Sequence, residues 1–162
     1  MKTEMGELIV GAYLKQIEGC DFIEYNVRTR GGGLKGLDEL DVVGLNFVTK
    51  TAYLCEVTTH LLGALYVDNK TTVEKIKTKH FKQKEYATDY LTNFENIRYM
   101  FWSPYVPVGY ITNGLSEIAG LELVINKEYT QKINELRELA RKTTNDSGND
   151  FFRAMQILEH LR

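Results

Sequence analysis

Residues 41–58 read DVVGLNFVTKTAYLCEVT, and this stretch decides the fold. Two apolar runs flank a short, more polar connection that passes through Asn46 and Lys50. Runs of this length and composition, separated by a turn, are typical of two neighbouring antiparallel strands. The pattern therefore predicts a β-hairpin whose strands cover residues 39–45 and 52–58.

The register of this hairpin brings two carboxylates together. Closure around Val48 and Thr49 pairs Val43 with Leu54, Leu45 with Ala52, and Asp41 with Glu56. Because side chains alternate across a strand, Asp41 and Glu56 then share one face, with Cβ atoms roughly 4.5–5.5 Å apart. Like charges this close are destabilising unless a positive charge intervenes. A divalent cation, Mg²⁺ or Mn²⁺, is the simplest remedy for an all-oxygen pair. The alternative is an incidental pair at a solvated strand end.

Outward from the hairpin, the chain alternates helical and extended patterns. Helical periodicity predicts helices over residues 4–19, 71–93, 127–142 and 149–161, and extended patterns predict strands over 21–30, 96–106 and 121–125. A glycine-rich connection, 31–36, lacks the residues of a phosphate-binding P-loop. We expect one α/β domain over residues 1–162, a mixed sheet flanked by helices with the C-terminal helices packed on the core.

The residues around the carboxylate pair resemble the PD-(D/E)XK phosphodiesterase superfamily. The likeness rests on DVVG at 41–44, the hairpin turn and EVT at 56–58, and an upstream glutamate helix and a following lysine-rich helix extend it over roughly residues 5–93. The resemblance implies a restriction endonuclease-like fold and hydrolysis of nucleic acid, with DNA the expected polymer. It also implies that Asp41, Glu56 and the backbone carbonyl of Val57 bind Mg²⁺ or Mn²⁺, assisted by Glu7.

The sequence departs from the family pattern at Thr58, where a lysine is expected. Lys75, and after it Lys79, are the candidates to supply the missing cation from the following helix. The competing interpretation is a degraded site, in a module that binds nucleic acid or a protein without cutting. The helix lysines Lys77, Lys79, Lys82 and Lys84 are predicted to contact phosphates, with an ordinary solvated face as the alternative.

Composition places limits on these interpretations. The 162 residues are 43% hydrophobic and 26% charged, which is typical of a globular domain. The net charge of −2 provides no overall basic field for a nucleic acid, so binding would depend on local charge. No leader-like N-terminus and no apolar run of roughly 20 residues is present, and a cytoplasmic protein is expected. The apolar last helix is expected to pack on the domain, and the alternative is that it forms a homodimer contact.

Overall fold

The computed structural model describes residues 2–28, 39–61 and 66–162. Along the chain, the elements are α1 (Met5–Gln16), β1 (Phe22–Arg28), β2 (Glu39–Asn46), β3 (Thr51–Val57), α2 (Asn69–Tyr90), β4 (Asn96–Ser103), α3 (Tyr110–Ser116), β5 (Leu121–Ile125), α4 (Lys127–Lys142) and α5 (Asp150–Glu159). The predicted glycine-rich connection and the last two residues of the predicted first strand lie outside the described residues. The predicted α/β class with a mixed sheet and flanking helices is confirmed.

The five strands form one sheet in the order β1-β2-β3-β4-β5. Strands β1, β2 and β3 are antiparallel neighbours, whereas β3, β4 and β5 are parallel. The change of direction follows from the connections, because a tight turn joins β2 to β3 while helix α2 carries the chain from β3 to β4. In the turn, the Asn46 side chain accepts hydrogen bonds from the backbone N–H groups of Val48 and Thr49, at 3.0 and 2.9 Å.

The predicted register of the hairpin is confirmed. Val43 pairs with Leu54 and Leu45 pairs with Ala52. The hydrogen-bonded ladder ends at Val42 and Cys55, one residue before Asp41 and Glu56. The two carboxylates therefore lie at the open end of the β2–β3 ladder, in the next position of the same register.

Each face of the sheet packs against a different set of helices. On one face, Val10 and Leu14 of α1 join sheet residues such as Val42 and Trp102 in a buried cluster. Helices α4 and α5 pack on α1 through a second cluster that contains Leu136 and Phe152. The opposite face is covered by α2 and α3. Because side chains alternate along β3, Glu56 shares the α2 face with Leu54.

The structure differs from the sequence prediction at the start of α2, at the end of β4 and in helix α3. Helix α2 begins at Asn69 because the side chain of Asp68 caps it, accepting a hydrogen bond from the N–H of Thr71 at 2.7 Å. Strand β4 ends at Ser103, directly before Pro104, instead of continuing to residue 106. The seven-residue helix α3 was not predicted, since its Thr-Asn-Gly centre is poor in helix-forming residues. None of the helices in the described ranges is long and apolar enough to cross a membrane.

Helix α1 approaches the sheet closely where Gly44 leaves room for it. A Cβ atom at Gly44 would lie 2.9 Å from Leu14 Cδ1 and 3.0 Å from Cys20 Sγ, and both of these side chains are buried. We expect Gly44→Ala to lower the free energy of unfolding by about 1–3 kcal/mol, because an overpacked core must shift to admit the methyl group. Urea denaturation measures this change. Wild-type stability in the variant would show that α1 is packed less closely.

Candidate functional site

Asp41 and Glu56 form the centre of the candidate site, at the ends of β2 and β3. One oxygen of Asp41, Oδ2, accepts a hydrogen bond of 2.7 Å from the backbone N–H of Val57. Glu56 is 5% exposed, among the few charged residues in the buried set. Asp41 is half-buried beside it. The hairpin thus holds two carboxylates side by side with little access to water.

A lysine from α2 reaches this pair. The ammonium group of Lys79 makes a salt bridge with Glu56 Oε1, and the two side chains are only 16% and 7% exposed. Lys75 lies elsewhere, with its Nζ 4.3 Å from the centroid of the Tyr66 ring. The structure therefore brings Lys79, and not Lys75, to the carboxylates, the reverse of the order suggested by the sequence.

Burial and mutual repulsion dominate the electrostatics of the pair. Burial raises the pKa of Glu56 well above its usual value, the charge of Asp41 raises it further, and Lys79 opposes both effects. The pKa of Asp41 is raised mainly by burial, against the lowering effects of Lys79 and the Val57 N–H. Burial alone would lower the pKa of Lys79, but the charges of Glu56 and Asp41 raise it above its usual value. One ammonium group lies beside two carboxylates that have little access to water, so a further positive charge would stabilise their ionised forms.

Glu7 of α1 enters the same region from the opposite side of the sheet edge. It is buried, and its Oε2 accepts hydrogen bonds from the Glu4 backbone N–H at 2.9 Å and from Asn26 Nδ2 at 3.1 Å. Burial is the main cause that raises the Glu7 pKa, and the charge of Asp41 adds to it. Glu7 thus contributes negative charge to the site, while its carboxylate is held by two donors of its own chain.

These side chains line a cleft of about 360 Å³. Five of the predicted site residues line its wall, namely Glu7, Asp41, Glu56, Val57 and Lys79, together with others that include Asn26, Glu39, Thr58 and Tyr66. Among the residues that the structure describes, five acidic side chains, counting Glu4, line the cleft against two lysines, Lys2 and Lys79. This excess of negative charge makes the cleft attractive to cations.

The donor atoms fit a hard divalent cation. Asp41 and Glu56 provide carboxylate oxygens, the ligands preferred by Mg²⁺ and Mn²⁺. No group of three or more Asp, Glu, His or Cys side chains in the described ranges is arranged to hold a metal ion. A cation held here would therefore depend on two side chains, with water or substrate oxygens completing its shell, as is common for Mg²⁺.

The four lysines predicted to contact phosphates lie on two sides of α2. Lys79 faces the cleft, and Lys82 pairs with Glu85 at 3.1 Å. Lys77 and Lys84 instead line a groove between α2 and α3. The four therefore do not form one continuous basic surface beside the carboxylates.

Asn26, Tyr66 and Glu39 are among the cleft residues that were not identified from the sequence. Asn26 adopts a left-handed backbone conformation, φ 53°, within β1, and its side chain donates to Glu7. Tyr66 precedes α2, and the ammonium group of Lys75 lies over its ring. Glu39 begins β2, and its Oε1 is buried without a hydrogen-bond partner among the described residues. Only Glu39 had a sequence signal, since it lies two residues before Asp41 on the same face of a strand.

No family model, no curated protein and no solved structure matches the chain. The residues of the cleft and their geometry are therefore the basis on which a function can be proposed. They comprise a pair of carboxylates, one buried and one half-buried, an ammonium group in contact with the buried one, and an excess of acidic side chains around them.

The raised pKa of Glu56 makes stability depend on pH in metal-free buffer. A carboxyl group with a higher pKa in the folded chain stabilises the fold at low pH, and this contribution is lost as the pH rises through the folded pKa. Relative to wild type, we expect Glu56→Gln to gain stability as the pH rises from the ordinary value of 4.5. The gain is about 1.4 kcal/mol for each unit by which the pKa is raised.

Urea denaturation over a pH series, with chelator present, measures this difference. Glu74→Gln, which removes an exposed carboxylate from α2, is the control. A stability difference between Glu56→Gln and wild type that does not change with pH would show that Glu56 titrates as an ordinary carboxyl group.

Proposed function

We propose that the protein is a metal-dependent nuclease of the PD-(D/E)XK type that hydrolyses phosphodiester bonds, with DNA as the expected polymer. The observation that carries the proposal is the half-buried Asp41 beside the buried Glu56, with Lys79 in contact with Glu56. Two adjacent carboxylates and one ammonium group are the components that the resemblance requires, although the lysine comes from α2 and not from the strand.

The order of elements supports the proposal. The resemblance requires a glutamate-bearing helix, a hairpin with the carboxylates and a following lysine-bearing helix, and these correspond to α1, β2–β3 and α2. The carboxylates lie where β3 ends and its parallel neighbour β4 also ends. Ligand sites of sheets with parallel strands commonly lie outside the carboxyl ends of those strands.

In this proposal each charged residue has a distinct role. Asp41 and Glu56, with the Val57 carbonyl, would hold the cation, which when bound activates a water molecule and polarises the scissile phosphate. The Val57 N–H orients the Asp41 carboxylate through its hydrogen bond. Lys79 provides a buried positive charge beside Glu56, where it can offset negative charge that develops on the phosphoryl oxygens. Burial strengthens these interactions because little water screens them.

A second candidate function is nucleic-acid binding without cleavage. Threonine stands at position 58, and the ammonium of Lys79 already neutralises Glu56. If this salt bridge persisted in the presence of divalent cations, the protein would keep a charged cleft but would not form a metal centre able to cleave a phosphodiester. Turnover distinguishes the two functions.

The proposal is tested by a cleavage assay with supercoiled, linear and single-stranded DNA and with RNA, each in Mg²⁺ or Mn²⁺ and in chelator. We expect cleavage of at least one polymer that requires the cation and is lost in Asp41→Asn. Binding of a polymer without any cleavage would support the second function. A protein that neither binds nor cleaves any of these polymers would show that the carboxylate pair is incidental.

A further inference from the structure

Lys75 and Tyr66 form a pair at the edge of the cleft. The Lys75 ammonium lies 4.3 Å from the Tyr66 ring centroid, and Tyr66 itself lines the cleft together with Lys79. Both residues are half-buried. Because the face of an aromatic ring attracts a cation, Tyr66 fixes the direction of a side chain that would otherwise sample many rotamers.

The charge of Lys75 is not neutralised by this contact. Lys79, one turn further along α2, is bound to a carboxylate, whereas Lys75 has no salt bridge with any residue in the described part of the chain. A ring face orients an ammonium group without cancelling its charge. Lys75 is therefore an oriented cation beside a cleft in which acidic residues are in excess.

Its position relative to Lys79 suits a polymer. Residues four apart on a helix lie on the same side, separated by about 6 Å along the axis. This separation is comparable with that between neighbouring phosphates of one strand. A phosphate in the cleft near Lys79 would thus leave the next phosphate of the same strand near Lys75.

We propose that Lys75, oriented by Tyr66, is a binding subsite for the phosphate that neighbours the scissile one. This inference rests on the proposed function and adds a substrate class to it: a polynucleotide strand with at least one flanking phosphate. Lys75 contributes to binding of the polymer and not to the hydrolytic step, which belongs to the Asp41, Glu56 and Lys79 group. A small diester with a single phosphate does not use the subsite.

The test compares Lys75→Gln with Lys132→Gln on two substrates. Lys132 is a matched control because it is also half-buried and lies over a tyrosine ring, at 4.9 Å from the Tyr13 centroid, but on α4 and outside the cleft. The substrates are a fluorescein-labelled single-stranded oligonucleotide and bis(p-nitrophenyl) phosphate, and the affinity for the oligonucleotide is also measured by fluorescence anisotropy over a salt series.

For the oligonucleotide, we expect Lys75→Gln to raise KM about fivefold at about 0.1 M salt and to reduce the slope of log affinity against log salt by about 0.7, the value for one phosphate of a single strand. The kcat for the oligonucleotide and the hydrolysis of bis(p-nitrophenyl) phosphate should stay at the wild-type level. Tyr66→Leu should reproduce the loss, and Tyr66→Phe, which keeps the ring, should not.

Equal KM values and salt slopes for Lys75→Gln and Lys132→Gln would overturn the subsite. A loss of bis(p-nitrophenyl) phosphate hydrolysis in Lys75→Gln would also overturn it, because Lys75 would then act in the chemical step. If the wild type hydrolyses neither substrate, the proposed function fails, and the anisotropy slopes alone decide whether Lys75 contacts a phosphate.

Discussion

Replacing Glu56 with glutamine is expected to reduce the proposed phosphodiester hydrolysis by roughly 10²–10³-fold or more, the scale on which loss of one electrostatic stabiliser acts. Glutamine preserves the shape of the side chain in a site where Glu56 is 5% exposed, so the fold should be retained. Its amide cannot supply the negative charge that a cation requires, and Asp41 would remain as the only carboxylate of the pair. Initial rates at saturating Mg²⁺ measure the effect.

The control for this prediction is Glu74→Gln, which removes a carboxylate from the exposed side of α2. It should leave the rate of hydrolysis close to that of wild type. Circular dichroism and urea denaturation of Glu56→Gln should show a folded protein, so that a loss of rate is attributable to the site. A variant with full activity would remove Glu56 from the proposed mechanism.

Replacing Lys79 with methionine is expected to lower the free energy of unfolding by about 3–5 kcal/mol in metal-free buffer, the range for breaking a buried ion pair by removing one partner. The reason is that Glu56 and Asp41 would both remain in a poorly solvated position without the ammonium group that lies against Glu56. The rate of hydrolysis should fall as well, because Lys79 is proposed to offset the negative charge that develops on the phosphoryl oxygens. Urea denaturation in chelator measures the stability.

The double variant Glu56→Gln with Lys79→Met tests why Lys79→Met is expected to lose stability. Removing both partners leaves one carboxylate, Asp41, which keeps its hydrogen bond from Val57. We therefore expect the double variant to be more stable than Lys79→Met alone. Addition of Mg²⁺ should recover part of the stability of Lys79→Met, since a ligand of the folded state stabilises it. Lys79→Met with wild-type stability in chelator would contradict this account of the pair.

The hairpin could be predicted from the sequence because its register is fixed locally. The short turn leaves few ways to pair residues 39–46 with 51–57, because loop length and turn type fix the register of a hairpin. The pairing of Val43 with Leu54 therefore followed from the sequence alone. The position of Asp41 beside Glu56 is its direct consequence.

The choice between Lys75 and Lys79 could not be made in the same way. Both lie on one side of α2, and helical spacing does not distinguish them. The placement of α2 on the sheet decides between them. The buried Gln83 side chain fixes that placement by donating to the backbone carbonyls of Leu54 and Met100, at 3.0 and 3.2 Å. These contacts join residues far apart in sequence, so periodicity carries no signal for them.

Asn26 and Tyr66 were missed for a related reason. Asn26 reaches Glu7 because its backbone adopts a left-handed conformation that the alternating pattern of β1 does not indicate. Tyr66 lies just before α2 and outside any helix or strand, so no periodic pattern indicates the direction of its side chain. Side chains positioned by irregular backbone are thus the part of this site that periodic sequence patterns do not predict.

The central claim, that Asp41 and Glu56 together hold a divalent cation, is tested most directly by titrating Mn²⁺ into the protein and following binding by calorimetry. The account predicts saturable binding by the wild type that is strongly weakened in Asp41→Asn and in Glu56→Gln, and unchanged in Glu74→Gln. Absence of saturable binding by the wild type, or binding of equal affinity in all four proteins, would contradict it.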